Sequence, residues 1–383
     1  MDPVNNPYNP GAGSPPPELA GRENILSAAE NTIKRTIGGK AAKSQVLLGL
    51  RGVGKTVLLN RINQIAENEG CQTAIFEADP DHSLPELLTQ QLHRLLLKLD
   101  RRKKVGHDIQ KTFSYLRGFA SAFKVKYGEF EVGLNNELAT GDLTIDLADL
   151  FVLIGRASKK RKTVSLIMID EMQYIQRIDL SALIMALHKI SQLQLPLLFF
   201  GAGLPQLAKL AGDTKSYAER LFDYPDVDKL DKESAMLAIE KPAKNEKVVF
   251  EPEALDLLYA ETEGYPFFLQ VWGSHVWETA KTSPITFRDV QIATRNALNA
   301  LDHGFFKVRL DRLTERQKEY IKAMAAIGYL PVRSSEVAAR IKIPVTRAAP
   351  LREEIINKGI IYSPGRGLVS FSVPKFDEFL RRK

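Results

Sequence analysis

Apolar residues along the chain fall into two patterns, and the pattern changes near residue 230. Before it, strand-sized apolar runs at residues 45–48, 72–77, 164–169 and 196–201 alternate with stretches of helical spacing at 23–37, 56–66, 84–99, 144–158 and 180–194. In 144–158, for example, Leu147, Leu150, Phe151 and Ile154 share one face. Such alternation predicts an α/β fold, a parallel sheet with helices on both faces. Ligands then bind at the carboxyl ends of the strands. A short segment, 226–230, closes this region.

From Asp231 the strands stop. Residues 232–241, 252–261, 266–280 and 287–300 read as helices, and Gly264-Tyr265-Pro266 is a helix-start signal. Phe267, Phe268, Trp272 and Trp277 read as the core of this helical region, an aromatic contact to a nucleotide being the other reading. Beyond Thr314 the order is a helix at 315–326, a helix at 335–341 capped by Ser334, and a helix from about 347 to 357 ended by Gly359. Strands at 359–363 and 367–372 follow, around Pro364-Gly365-Arg366. Three helices and a hairpin predict a winged helix-turn-helix, with Arg347 and Arg352 on its second helix and Arg366 at the wing tip as DNA-binding residues. Pro350 fits that helix only in its first turn or as a kink.

Two stretches stand outside these patterns. The first 18 residues hold six prolines and predict an extended arm rather than a folded unit, with residues 1–12 equally readable as a disordered tail. Residues 105–143 break the α/β alternation. Within them 122–128 and 129–134 alternate with period two and predict an inserted hairpin with a Gly turn. The domains expected are an arm at 1–22, an α/β domain at 23–230, a helical lid at 231–306 and a winged helix at 314–383.

The chemistry concentrates at two strand ends. Gly49-Leu50-Arg51-Gly52-Val53-Gly54-Lys55-Thr56 is the Walker A phosphate loop, set between an apolar strand and a helix as that motif requires. Its glycines let backbone N–H groups turn inward to cradle phosphate, and the helix that follows adds its positive end. Gly49, Arg51, Gly52, Val53, Gly54, Lys55, Thr56 and Val57 are therefore the expected nucleotide-binding residues. Lys55 reaches the β/γ-phosphates and counts as catalytic, and the Thr56 hydroxyl serves Mg²⁺. The run 164–169 ends in Asp170-Glu171, a Walker B pattern: Asp170 holds Mg²⁺ through its water shell, and Glu171 is the catalytic group that polarises attacking water.

Composition changes this picture in one respect. Of the 383 residues 44% are hydrophobic and 26% charged, values of an ordinary globular protein. The formal net charge is +7, and residues 314–383 alone carry 14 Lys+Arg against 7 Asp+Glu. A basic terminal module on a neutral body points to nucleic acid or another acidic partner. The lone Cys71 excludes an internal disulfide framework and suits a reducing cytoplasm. The six histidines show no metal-ligand spacing. No apolar run approaches membrane-spanning length, and the N-terminus has no secretory pattern, so a cytoplasmic location without a membrane partner is expected.

With these motifs placed, the chain resembles the AAA+-like P-loop ATPases of the replication-initiator and STAND clade, including archaeal-type ATPases with a C-terminal winged helix. The resemblance rests on Leu19-Ala20-Gly21-Arg22-Glu23, both Walker motifs, Phe200-Gly201-Ala202-Gly203-Leu204-Pro205, Arg220-Leu221-Phe222 and Gly264-Tyr265-Pro266-Phe267-Phe268-Leu269. It implies Leu19 to Arg22 near the adenine, Gly264 and Pro266 near the nucleotide, and Arg220 as an arginine finger offered to a neighbouring copy. ATP and Mg²⁺ are the implied cofactors. Two departures point to a slow switch: Gly201-Ala202-Gly203 offers no polar side chain at a strand end where the family places one, and no second sensor Arg stands beside Gly264.

The expected function is ATP hydrolysis whose nucleotide state controls binding of the winged helix to duplex DNA, with self-association through Arg220. The alternative is a STAND-like signalling or defence switch whose partner is a protein and whose winged helix is regulatory.

Overall fold

The computed structural model describes residues 1–11, 13–100, 107–125 and 139–383. The chain forms two compact units. One comprises residues 24–49 and 55–226, and the other residues 1–23, 50–54 and 227–383.

The first unit is the α/β layer structure. It runs α1 (Glu23–Ile37), β1 (Ser44–Leu48), α2 (Lys55–Asn68), β2 (Gln72–Glu77), α3 (Leu84–Asp100), α4 (His107–Ala122), α5 (Leu143–Lys160), β3 (Ser165–Asp170), α6 (Arg177–Gln192), β4 (Leu197–Gly203), α7 (Gln206–Thr214), α8 (Ala218–Leu221) and β5 (Phe222–Asp223). The strands are all parallel in the order β2-β3-β4-β1-β5. β1, β3 and β4 are buried along their whole length, which is why they read as unbroken apolar runs. Gln45 lies opposite Phe200 and Glu77 opposite Asp170, so the carboxyl ends of β1, β3 and β4 form one edge.

Helix packing supplies the core. In α3, Leu84, Leu88, Leu92, Leu95, Leu96 and Leu99 are buried on one face. Each contributes about 1.5–3 kcal/mol on leaving water. The exposed pair Lys160–Asp108 is worth at most about 1 kcal/mol, so apolar burial decides this layer. Asp142 caps α5 by accepting from Thr144 N at 2.8 Å.

The structure corrects the reading of 105–143. Residues 107–122 form a helix that buries Ile109, Leu116 and Phe119, and Ala122, the first residue of the expected hairpin, is its last. Most of that hairpin lies outside the described residues. β4 also extends two residues beyond 201. A Cβ on Gly201 would strike the sulfur of Met172, so a larger residue there would have to displace that side chain.

The second unit contains α9 (Lys232–Asn245), α10 (Pro252–Thr262), α11 (Pro266–Thr279), α12 (Phe287–Ala300), a π-helical turn (Leu301–Phe306) and α13 (Lys307–Asp311). These are followed by α14 (Glu315–Ile327), β6 (Val332–Arg333), α15 (Ser334–Arg340), α16 (Val345–Asn357), β7 (Ile361–Tyr362), β8 (Leu368–Phe371) and α17 (Phe376–Arg382). The three strands form an antiparallel sheet, β6-β8-β7. Trp272 and Phe268 are fully buried in the helical core, and the π-helical turn carries Phe306 to within 5.6 Å of Phe376 and 5.4 Å of Phe379.

Three local expectations change here. Ser334 does not cap α15 with its side chain; its hydroxyl pairs with Tyr320 Oη at 3.0 Å. Pro350 lies in the second turn of α16 with its ring exposed, and the bond it forgoes is the one a helical amide there would give to the Thr346 carbonyl. The proline-rich arm is packed rather than loose. Tyr8 is buried and donates its hydroxyl to Ile239 O at 2.7 Å, Trp277 Nε1 donates to Asp2 O at 2.8 Å, and a Cβ on Gly273 would lie 2.7 Å from the Tyr8 ring. Apolar packing and backbone pairing across distant sequence outweigh the arm's local preference for an open chain.

Candidate nucleotide site

In the α/β unit the site is built on three strand ends. β1 stops at Leu48, and the Gly49 N–H donates to Gly203 O at 3.1 Å, tying the start of the loop to the end of β4. Lys55 opens α2, is buried, and donates Nζ to Gly49 O at 2.9 Å. Thr56 follows, and its hydroxyl donates to Asp170 Oδ2 at 2.6 Å. The two Walker motifs therefore meet through Thr56 and Asp170. Asp170 also accepts from Glu171 N at 2.7 Å. Burial raises the Asp170 pKa, and the Thr56 hydroxyl, the Glu171 amide and Lys55 pull the other way.

Glu171 adopts a left-handed backbone, φ 51° and ψ 37°, a conformation that costs a non-glycine residue on the order of 1 kcal/mol. Its carboxylate accepts from the Gln173 amide. The Gln173 carbonyl oxygen accepts from Leu204 N at 3.2 Å, just beyond β4. No sequence signal singled out Gln173, because its anchor, the Leu204 amide, is brought there by the neighbouring strand rather than by a motif.

In the second unit, Leu50–Gly54 packs with the helical and C-terminal elements. Gly52 and Gly54 have φ of +85° and +95°, which is why glycine stands at both. The Phe267 N–H donates to Gly52 O at 3.1 Å, and the Tyr265 hydroxyl donates to Arg51 O. Burial pushes the Tyr265 pKa up, keeping it a donor. The Arg51 N–H donates to Ser372 O at 3.3 Å, and the Arg51 guanidinium covers Gly359. Val53 is buried, and Arg22 donates to Val53 O at 3.1 Å and to Asp228 O. Burial lowers the Arg22 pKa, while Asp228 opposes that shift. Leu19 is half-buried two residues ahead of Gly21. Gly264 has φ +72° and Pro266 opens α11; a Cβ on Gly264 would strike the carbonyl of Leu230. Val57 is half-buried on α2.

The remaining expected residues lie elsewhere. Arg220 is exposed on α8. With Lys40, Lys43, Lys159 and Lys162 it lines a cavity of about 780 Å³ at the amino ends of β1, β3 and β4, the opposite end of the sheet from Asp170. It is not brought to Lys55 or Glu171 of its own chain. Arg347 is exposed at the start of α16, and Arg366 is exposed in the loop between β7 and β8. Arg352 differs: it is half-buried, its Nε is enclosed, and its charge acts on buried Tyr320. Five residues apart on one helix, Arg347 and Arg352 face different ways.

The residues fit a Mg²⁺-nucleotide. Gly54 leaves open space where a Cβ would stand, Thr56 and Asp170 offer adjacent oxygens, and a cation would relieve the buried Asp170 charge. Among the described residues no group of three or more His, Cys, Asp or Glu could hold a metal. Mg²⁺ instead takes one or two protein ligands together with phosphates and water. Among the described residues, too, no helix is long and apolar enough to cross a membrane.

Comparison with known proteins bears on the fold that carries this site. Residues 18–200 match the family model described as an AAA ATPase domain, and residues 303–380 match a domain of unknown function, DUF8462. No curated protein matches the chain. Among solved structures, the Walker-type ATPase PabY2304 of Pyrococcus abyssi is 18% identical over 95% of this chain and 96% of its own, with a TM-score of 0.59. The Orc1 protein of Aeropyrum pernix, solved in complex with DNA, is 15% identical over 96% and 93%, with a TM-score of 0.49. The RuvB Holliday junction branch migration motor of Thermotoga maritima is 15% identical over 95% of each chain, with a TM-score of 0.47. None of these favours the signalling-switch alternative. The chain thus matches an AAA ATPase domain over residues 18–200 and shares the parallel-sheet P-loop fold of a Walker-type ATPase.

Proposed function

We propose that the chain binds ATP with Mg²⁺ and hydrolyses it slowly, and that nucleotide state controls how a C-terminal winged helix meets duplex DNA. Gly49, Arg51 to Val57, Leu19, Arg22, Gly264 and Pro266 form the nucleotide-binding set. Thr56 and Asp170 hold the metal, Glu171 polarises water and Lys55 steadies the phosphates. Arg220, remote from its own chain's Asp170, acts on a neighbouring copy. Arg347 and Arg366 contact DNA phosphate, and Arg352 supports α16 from within.

One observation carries the coupling: the Arg51 amide of the phosphate loop bonds the carbonyl of Ser372, the residue that follows the last strand of the C-terminal sheet. A loop reshaped by phosphate pulls on that sheet directly. The basic balance of residues 314–383 supports DNA as what the sheet and its helices meet.

The test is duplex-DNA anisotropy with the full chain, with ADP and with a non-hydrolysable ATP analogue. Affinity is expected to differ between the two nucleotides and to fall steeply with salt. Equal affinities would remove the coupling. Undiminished affinity after removal of 314–383 would remove the DNA role of that module.

A further inference from the structure

Gln173 sits in the short turn Met172–Tyr174, after β3, and its two ends do different things. The carbonyl oxygen is tied to the backbone by Leu204 N at 3.2 Å. That anchor aims the NH₂ group at its other partner, the Glu171 carboxylate. Both residues are half-buried, so water competes only in part for this charge-assisted hydrogen bond.

The end of β4 is shaped around this turn. A Cβ on Gly203 would lie 3.1 Å from Gln173 Oε1 and 2.9 Å from Leu207 Cδ2, and a Cβ on Gly201 would strike Met172. The space a β4 side chain would fill is taken by the turn. The glycines of Gly201-Ala202-Gly203 therefore mark where a polar group arrives from the neighbouring strand.

We propose that Gln173 is the positioning residue of the hydrolysis site, orienting Glu171 toward the attacking water in place of a polar side chain at the end of β4. The assignment rests on the ATPase reading above. In that reaction the water oxygen bonds to the γ-phosphorus, and its proton passes to the Glu171 carboxylate. The bond from γ-phosphorus to the bridging oxygen breaks, and its electron pair leaves on ADP. Gln173 stays unreacted and fixes the direction of one carboxylate oxygen throughout.

Two variants of the full chain separate positioning from stapling. Gln173→Leu removes both bonds. Gln173→Glu keeps an acceptor for Leu204 N and removes the donor to Glu171. Steady-state ATPase assays are expected to show kcat lowered about 10- to 100-fold in both, the equivalent of one charge-assisted bond. KM and the affinity for fluorescent ADP should stay within about twofold. Unchanged or increased kcat in Gln173→Glu would overturn the proposal, assigning Gln173 to the fold or to a brake on Glu171. Failure of the wild-type chain to bind ATP would instead overturn the ATPase reading, and this assignment with it.

Discussion

The backbone amide of Arg51 donates to the carbonyl of Ser372 at 3.3 Å, and Ser372 in turn donates its hydroxyl to Gly359 O at 2.6 Å. Gly359 completes the knot from the other side, since its φ is +66° and a Cβ there would lie 2.5 Å from Arg51 Nη2. Gly359→Ala is expected to cost about 1–2 kcal/mol through the left-handed backbone alone. That lowers Tm by about 2–4 °C per kcal/mol. Pairing it with Arg51→Ala removes the clash but not the backbone strain, so the double variant should cost less than the sum of the singles. Additive costs in thermal melts would show that the guanidinium does not lie on Gly359.

Lys55→Ala should weaken ATP and ADP binding by about 10- to 100-fold, as expected for one charge-assisted hydrogen bond to phosphate. Titration with a fluorescent nucleotide checks this. Unchanged affinity would remove the phosphate loop from the site.

Glu171→Gln keeps the shape of the side chain and removes its basicity. Turnover should fall about 10²- to 10⁴-fold with nucleotide affinity retained. Equal turnover would unseat Glu171 as the group that polarises water.

Asp170 gives a pH dependence whose sign follows from its raised pKa. Folding disfavours its charged form. In the metal-free protein its contribution to stability is therefore fully present below the unfolded carboxylate pKa and is lost as pH rises through the folded one. Asp170→Asn should accordingly raise Tm at neutral pH, with the gain vanishing in acid. The same variant should lose the stabilisation that Mg²⁺ with nucleotide gives the wild type. A variant less stable than wild type at neutral pH without metal would contradict the burial argument.

In the C-terminal module, Arg347→Ala and Arg366→Ala should each lower duplex affinity and reduce the salt slope by about 0.9 per lost phosphate contact. Arg352→Ala should act differently, lowering Tm with the slope retained, because its Nε is enclosed and its charge acts on buried Tyr320. Anisotropy across a salt series, alongside melts, distinguishes these outcomes.

The legible parts of this protein are local ones. Gly49 to Thr56 could be read because the glycines, the lysine and the threonine serve one loop, and because an apolar run before it and helical spacing after it set its context. Asp170 could be read because a fully buried strand leaves its acids at the open edge. α4 is legible too: Ile109, Phe113, Leu116 and Phe119 recur at helical spacing on the face that packs into the core, although the segment breaks the strand–helix alternation around it. Ser334 looked like a cap because the residue type fits, but Tyr320 offered its hydroxyl a buried partner.

By itself the sequence determined the α/β alternation, the phosphate loop and the acidic strand end. Each depends on spacing within a few residues, and hydrophobic periodicity records that directly. Only the tertiary structure decided that Leu204 N anchors Gln173, that Tyr8 seats itself over Gly273, and that Arg51 is held by Ser372. Those contacts join positions brought together by strand order and helix packing. Their partners are backbone carbonyls or amides, or a glycine chosen for the room it leaves, and such groups carry no residue-type signature along the chain.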